Sequence, residues 1–260
     1  AIYEMGAGAL GDIAYLTQIV RPDVALVNNI APAHLERMGS LLGIADTKAA
    51  IYDALTEDGV AVINADDAFA PYFASRAGSY RVLSFGLENT SDVWADEIQA
   101  TENGLDFVLK TPWGDVAIQL PLHGRHQVSN ALAAATMAMA VGATLTHVAE
   151  GLATVEGVPG RMQSLTLASG VQLVDDSYNA NPGSVVAAIS TLAAQAKQRG
   201  GKSWLVLGDM RELGSNSASL HADVGLRAKY DGINYVLTVG EMSRHAALAF
   251  GATGEAFDDQ

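Results

Sequence analysis

The chain has 260 residues, 49% of them hydrophobic, and its 29 acidic against 15 basic residues give a formal net charge of −14. This acidic balance argues against nucleic acid or an anionic membrane as a partner, because both are bound through clustered lysine and arginine. The absence of cysteine from the sequence excludes disulfides, thiolate catalysis and cysteine-ligated zinc. With neither an apolar run of about 20 residues nor a signal-peptide pattern, we expect a cytoplasmic protein without membrane insertion.

The first part of the chain alternates between strand and helix patterns. Strands are predicted at 1–4, 24–27, 60–63 and 80–85, and helices at 12–20, 49–55 and 68–76. This order predicts a mainly parallel sheet with helices on both faces, which defines the α/β class.

The sequence pattern changes between residues 92 and 120. Short runs in which apolar and polar residues alternate are separated by Asn103-Gly104 and Trp113-Gly114, which are hairpin signals. They predict an antiparallel β-meander appended to the sheet. An alanine-rich helix at 124–141 and another at 145–152 follow, and we expect this first domain to cover residues 1–157.

Residues 158–260 predict a second, Rossmann-like α/β domain. Its predicted elements are a hairpin at 162–168 and 171–174, helices at 182–198, 219–230 and from 242, and strands at 204–207 and 235–239. Gly201-Lys202-Ser203 is not a phosphate-binding P-loop, because the required earlier glycine is Ala196 and the segment leaves a helix for a strand. The chain starts without methionine and stops while the α/β pattern still runs, so we expect it to be part of a longer protein.

The stretch from Asn28 to Lys48 is the first candidate site. It leaves the strand 24–27 and brings His34 and Lys48 beyond the strand's carboxyl end, where ligands bind in open α/β sheets. The lysine precedes the helix predicted at 49–55. On spacing alone, a surface histidine and a solvated lysine are the favoured interpretation.

Six short motifs, in order, resemble those of the central and C-terminal domains of the Mur ligases, ATP-dependent enzymes that build the peptidoglycan peptide stem. They are Glu4-Met5-Gly6, Ala33-His34-Leu35-Glu36, Ala45-Asp46-Thr47-Lys48, Asn64-Ala65-Asp66-Asp67, the run from Gly124 to Asn130, and Pro159-Gly160-Arg161. The runs 175–182 and 208–214 resemble the members that join D-alanyl-D-alanine to UDP-N-acetylmuramoyl-tripeptide through an acyl phosphate. The resemblance covers nearly the whole chain and implies a role in cell-wall synthesis, cell shape and division.

The resemblance implies ATP and Mg²⁺, with two metal sites, as cofactors. Glu4 is implied as a ligand of one metal, and a carboxylate at a strand end suits Mg²⁺. His34 is implied to hold a second metal together with Lys48, which is carbamylated in the family. Carbamylation turns the lysine cation into an oxygen anion, which can ligate a metal. The catalytic residues that the resemblance implies are Lys48, His34 and Arg161.

The nucleotide is implied to contact four residues. Asn130 would read the adenine edge, although Gln127 stands where the family usually has asparagine, and Asn130 also fits as an ordinary polar helix residue. Arg161 would reach the γ-phosphate, because its planar guanidinium group is suited to binding phosphate oxygens. The alternative is a solvated arginine at the boundary between the two domains. Asp176, more than Asp175, would meet the ribose or a phosphate-bound metal, and Asp175 would otherwise simply end its strand.

The acceptor dipeptide is implied to bind near Asn179 and Asn181, because the following helix presents its N-terminus to a carboxylate. Capping of that helix is the competing role for Asn181. Asp209 and Glu212 are expected to shape the loop after a strand. His126 and His221 have no partner that the sequence indicates.

The substrates implied are small molecules, and we expect a monomer. One alternative is another Mur ligase or a folylpolyglutamate-type ligase. A nicotinamide-dependent oxidoreductase would need a Gly-x-Gly-x-x-Gly motif after a strand together with an acidic residue about twenty positions further on, and neither domain shows this combination. A non-catalytic nucleotide-binding fragment is the third alternative, because these 260 residues contain no P-loop.

Overall fold

The structure is a computed structural model that describes residues 1–31, 38–101 and 103–258. The chain divides into two compact units, which meet in the sequence between Glu156 and Gly157. The described elements of the first unit are helices α1 Asp12–Ile19, α2 Leu41–Asp53, α3 Ala70–Ala77, α4 Arg125–Ala140 and α5 Leu145–Ala153, and strands β1 Val24–Val27, β2 Val60–Asn64, β3 Arg81–Phe85, β4 Trp94–Thr101, β5 Gly104–Thr111 and β6 Gly114–Leu120.

The first unit is built on a parallel sheet in the order β1-β2-β3. Every residue of the central strand β2 is buried. Val60 and Val62 pack into the core that contains α4, whereas Ala61 and Ile63 pack into the core with α2 and α3. A continuous apolar run is what a strand covered on both faces requires. The predicted parallel sheet with helices on both faces is confirmed.

Tyr52 of α2 joins the first two strands near their carboxyl ends. Its buried hydroxyl accepts the Val27 N–H at 3.0 Å and donates to the Val62 carbonyl at 2.9 Å. Burial raises the pKa of Tyr52, so the hydroxyl stays protonated and keeps its donor role. The contact satisfies two buried backbone groups and fixes the strand ends that carry the site.

The β-meander is also confirmed. Strands β4, β5 and β6 form an antiparallel three-stranded sheet in that order. Gly104, in the first predicted turn, has φ +149°, and a Cβ there would collide with the Leu120 carbonyl. Glycine is required at this position by both the backbone conformation and the close approach.

The second unit contains a smaller parallel sheet in the order β11-β10-β9, beside the separate antiparallel hairpin β7-β8. Ile189, Leu207, Val224 and Val236 lie in its core. The predicted second α/β domain is therefore present. Its described elements are helices α6 Pro182–Arg199, α7 Ser217–Tyr230 and α8 Arg244–Phe250, a 3-10 turn Gly214–Asn216, and strands β7 Gln163–Thr166, β8 Gln172–Asp175, β9 Trp204–Gly208, β10 Tyr235–Val239 and β11 Gly254–Phe257.

Two predictions about local structure are wrong. Residues 1–4 do not form a strand: Ile2 is 95% exposed, and these residues pair with none of β1, β2 and β3. The helix predicted at 49–55 begins at Leu41, because the Ser40 side chain accepts the Gly43 N–H at 3.0 Å and caps it. Lys48 therefore lies within α2 instead of preceding it.

None of the helices in the described ranges is both long and apolar enough to cross a membrane.

Candidate functional site

The carboxyl edge of the first unit's parallel sheet gathers polar groups from different strands. The Asn64 amide, at the end of β2, donates to the Asn28 carbonyl after β1 at 2.9 Å. The Asp67 carboxylate accepts the Ile30 N–H at 2.7 Å. These bonds tie the segments after β1 and β2 together, because parallel strands end at the same edge.

Lys48 reaches this edge from α2. Its Nζ donates to the Asn29 carbonyl at 3.3 Å, and the side chain is half-buried. Burial lowers the pKa of Lys48, and the negative charge of Asp67 opposes this shift in part. A lowered pKa increases the neutral amine fraction, and the neutral amine is the form that can react with carbon dioxide. The carbamylation of Lys48 stays a prediction.

Asn130 of α4 lies at the same edge. Its Oδ1 accepts from the Asn28 amide at 3.2 Å, and its Nδ2 donates to Gln127 Oε1 at 3.2 Å. Asn130 is exposed, and beyond these two hydrogen bonds its amide has a second N–H and a second lone pair that an adenine edge can use. The glutamine noted in the sequence is thus a direct partner of the residue assigned to adenine.

The predicted metal ligands are only partly within the described residues. His34 lies outside them. Glu4 is exposed and belongs to no helix or strand. Within residues 1–31, 38–101 and 103–258, no three histidine, aspartate or glutamate side chains are grouped to hold a metal. A buried oxygen, Asn28 Oδ1, lacks a hydrogen-bond partner among those residues, which fits a nearby cation or its bound water.

Arg161 lies in the second unit, where its side chain packs on the ring of Tyr178. Its guanidinium carbon is 4.3 Å from the centre of the Tyr178 ring, a cation–π contact. The Tyr178 N–H donates to the Gly160 carbonyl at 3.0 Å, so backbone and ring both hold this corner together. The arginine itself is exposed, and its planar fork is available to an anion.

The two aspartates at the end of β8 have different environments. Asp176 accepts the Met162 N–H at 3.0 Å, which links it to the residue after Arg161. Asp175 accepts the Ser177 N–H at 3.0 Å, and hydrogen bonds from the Ser177 side chain and backbone lower the pKa of Asp175. The structure therefore joins Asp176 to the backbone directly after Arg161, while Asp175 closes a local turn.

Asn181 caps helix α6. Its Oδ1 accepts the Ser184 N–H at 3.0 Å, and the Ser184 hydroxyl accepts the Asn181 N–H at 3.1 Å. This reciprocal capping box is the alternative role expected for Asn181. Asn179 is exposed just before it. The binding roles of both residues stay predictions.

Two family models divide the chain between them. The Mur ligase middle domain matches residues 1–138, and the "Mur ligase, glutamate ligase domain" matches residues 160–259. The first alone covers more than half of the sequence. The chain belongs to the Mur ligase family.

Individual Mur ligases resemble it along its whole length. The UDP-N-acetylmuramoyl-tripeptide–D-alanyl-D-alanine ligase of Escherichia coli K12 is 46% identical over 261 residues, which is 100% of this chain and 57% of that protein. The crystal structure of MurF from Acinetobacter baumannii is 36% identical with a TM-score of 0.89, covering 97% of this chain and 54% of that one. MurF ligase from Thermotoga maritima, solved in complex with ADP, is 27% identical with a TM-score of 0.80, covering 97% and 61%. The chain thus spans somewhat more than half the length of these Mur ligases.

Some contacts of this Mur ligase were not predicted from its sequence. The sequence did not single out Asn28 or Asp67 as site residues, and it did not predict the contact between Tyr178 and Arg161. His221, for which no partner was indicated, is fully buried with both ring nitrogens in hydrogen bonds. The signal that could have found Asn28 and Asp67 was their position: Asn28 directly follows β1, and Asp67 comes three residues after the end of β2.

Proposed function

We propose that a full-length protein containing this chain joins D-alanyl-D-alanine to UDP-N-acetylmuramoyl-tripeptide in the cytoplasm, with hydrolysis of ATP to ADP and phosphate. ATP converts the tripeptide carboxylate into an acyl phosphate, and the dipeptide amine displaces the phosphate to form the amide bond. The 46% identity to a ligase of that name over the whole chain carries this proposal. The cluster of Lys48, Asp67 and Asn130 at a sheet edge supports it.

In this proposal, carbamylated Lys48 and His34 hold one Mg²⁺, and Glu4 serves the other. When bound, the ions neutralise the charge that develops on the phosphates. The chain's own contribution is the half-buried, low-pKa lysine beside Asp67. A carbamate there would add a second negative charge, which a divalent cation offsets.

The nucleotide contacts proposed are Asn130 for adenine, Arg161 for the γ-phosphate, and Asp176 with Asp175 for the ribose or a phosphate-bound metal. The stacking of Arg161 on Tyr178 supports its role, because a guanidinium already held flat loses less freedom on binding an anion. Asn179 and Asn181 are proposed to lie near the dipeptide carboxylate.

The test is a ligation assay on the purified full-length protein with ATP, Mg²⁺, UDP-N-acetylmuramoyl-tripeptide and a panel of acceptor amines. We expect ligation of D-alanyl-D-alanine, with one ADP released per amide bond. Preference for a single amino acid such as glutamate would instead favour another Mur or folylpolyglutamate-type ligase. Nucleotide binding without product from any acceptor would favour a non-catalytic protein.

A further inference from the structure

His221 of α7 is a fully buried histidine that the proposed reaction does not use. Its Nε2 accepts the Met210 N–H at 2.9 Å, so the ring proton lies on Nδ1. Nδ1 in turn is 2.8 Å from the Ser217 carbonyl, to which it donates. The neutral imidazole therefore links the first turn of α7 to the loop that follows β9.

That loop, residues 209–214, is held at several points. The Met210 and Leu213 side chains are each 2% exposed and lie in the core of the second unit. The Asp209 carboxylate accepts the Ser243 N–H at 2.7 Å, which ties the loop to the start of the α8 region. Between the two buried anchors, Arg211 and Glu212 are exposed.

Glu212 occupies a backbone conformation that its side chain disfavours. Its φ is +62°, in the left-handed region where glycine or asparagine is usual. Such residues persist where the surroundings hold them in place, and they cluster at ligand-binding sites. In addition, the loop lies at the carboxyl end of a parallel strand, the edge where α/β sheets bind ligands.

We propose that Glu212 binds the amine of the acceptor dipeptide and that His221 is the positioning residue that holds its loop. This inference rests on the proposed function. An exposed carboxylate accepts hydrogen bonds from an amine and repels the phosphates of ATP, so the nucleotide is disfavoured as its ligand. The third residue of the tripeptide is a second source of an amine, and the kinetics below separate the two.

The first experiment compares full-length wild type with Glu212→Gln in the ligation assay. Losing a charge-assisted hydrogen bond should raise the KM for D-alanyl-D-alanine about tenfold or more. The KM values of this variant for ATP and for the tripeptide should stay within about twofold of the wild-type values. An unchanged KM for the dipeptide, or a rise confined to the tripeptide, would overturn the assignment.

A second pair of variants separates a binding role from a structural one. Glu212→Gly removes the carboxylate and also the backbone strain, so ligation should fall while the melting temperature stays equal or rises. Glu97, exposed on β4 with φ +52°, is the matched control. Glu97→Gly should relieve similar strain without changing dipeptide kinetics. A fall in both activity and melting temperature for Glu212→Gly would indicate a structural residue and refute the proposal.

The positioning role of His221 is tested by two amide substitutions. His221→Gln keeps an acceptor near the Nε2 position, whereas His221→Asn keeps only a donor near Nδ1. We expect Gln to retain a nearly wild-type KM for the dipeptide and Asn to raise it, although both lower the melting temperature. Equal KM values in the two variants would refute the role. Wild type that ligates no D-alanyl-D-alanine would overturn the proposed function and this inference with it.

Discussion

At the scale of the residue, burial of Lys48 lowers its pKa and reduces the stability of the folded state while the lysine is charged. The protonated side chain is half-buried in α2, where desolvation disfavours its charge. The folded state therefore holds Lys48⁺ at a cost, which persists at every pH below the lowered pKa. As pH rises from that pKa toward the ordinary lysine value, the folded protein loses this proton first and becomes relatively more stable.

We expect Lys48→Met to stabilise the 260-residue chain near neutral pH, because it removes the poorly solvated cation. The gain should shrink as pH rises toward about 10.4, the ordinary lysine pKa. In the full-length enzyme the same change should abolish ligation, and bicarbonate should not restore it. The measurements are urea unfolding across pH and the ligation assay.

Lys229, exposed on α7, provides the control. Lys229→Met should change the unfolding free energy by no more than about 0.5 kcal/mol and leave ligation intact. Substantial ligation by the Lys48 variant would eliminate the carbamate role. A destabilised Lys48 variant at neutral pH would contradict the burial argument.

At the scale of elements, the packing of α7 on α8 depends on one glycine. Gly225 is buried in α7, and a Cβ there would collide with the carbonyl and Cα of Ala246 in α8. The two helices can approach this closely only without a side chain at that position. By contrast, a Cβ at Gly151 in α5 would meet nothing within 4 Å.

Gly225→Ala should therefore destabilise the chain by roughly 1–3 kcal/mol, the usual cost of overpacking. Gly151→Ala should stabilise it by about 0.5–1 kcal/mol, because alanine restricts the unfolded chain and favours helix. Denaturant unfolding of both variants checks the pair. Similar effects of the two substitutions would mean that the α7–α8 approach is looser than the structure describes.

At the scale of the whole molecule, each unit has its own apolar core. Val62 and Leu132 lie in one core of the first unit, Tyr52 and Phe73 in its other core, and Ile189 and Val236 in that of the second. Separate cores are what independently folding domains require. The 260 residues nevertheless contain no P-loop to hold the β- and γ-phosphates.

We expect the isolated chain to fold and to bind ATP weakly at most, without hydrolysis or ligation, because unpositioned phosphates do not react. Circular dichroism, calorimetric titration with ATP and the ligation assay test these points. The full-length protein is the control. Ligation by the 260 residues alone would show that the phosphate site has been misplaced.

Much of the fold can be predicted from the sequence, because local sequence patterns are enough to predict most of its helices and strands. The apolar run at β2, the Asn103-Gly104 turn and Pro182 at the start of α6 each predict the element that the structure contains. The strand predicted at residues 1–4 is wrong because a strand forms only when it pairs with another strand, and a local pattern does not show whether it does. The start of α2 was missed because a single capping residue, Ser40, decides it.

Contacts between distant residues were decided by the tertiary structure. Asn28 and Asn130 are 102 positions apart and become hydrogen-bonded only because β1 ends and α4 begins at the same edge. The cation–π contact of Arg161 with Tyr178 forms because the hairpin β7-β8 brings the two residues together. The hydrogen bond between His221 and Met210 forms because α7 packs beside the loop after β9. The sequence could indicate which residue types stand near strand ends, since that information is local. Which of them touch depends on how the elements pack, and no short-range pattern records that.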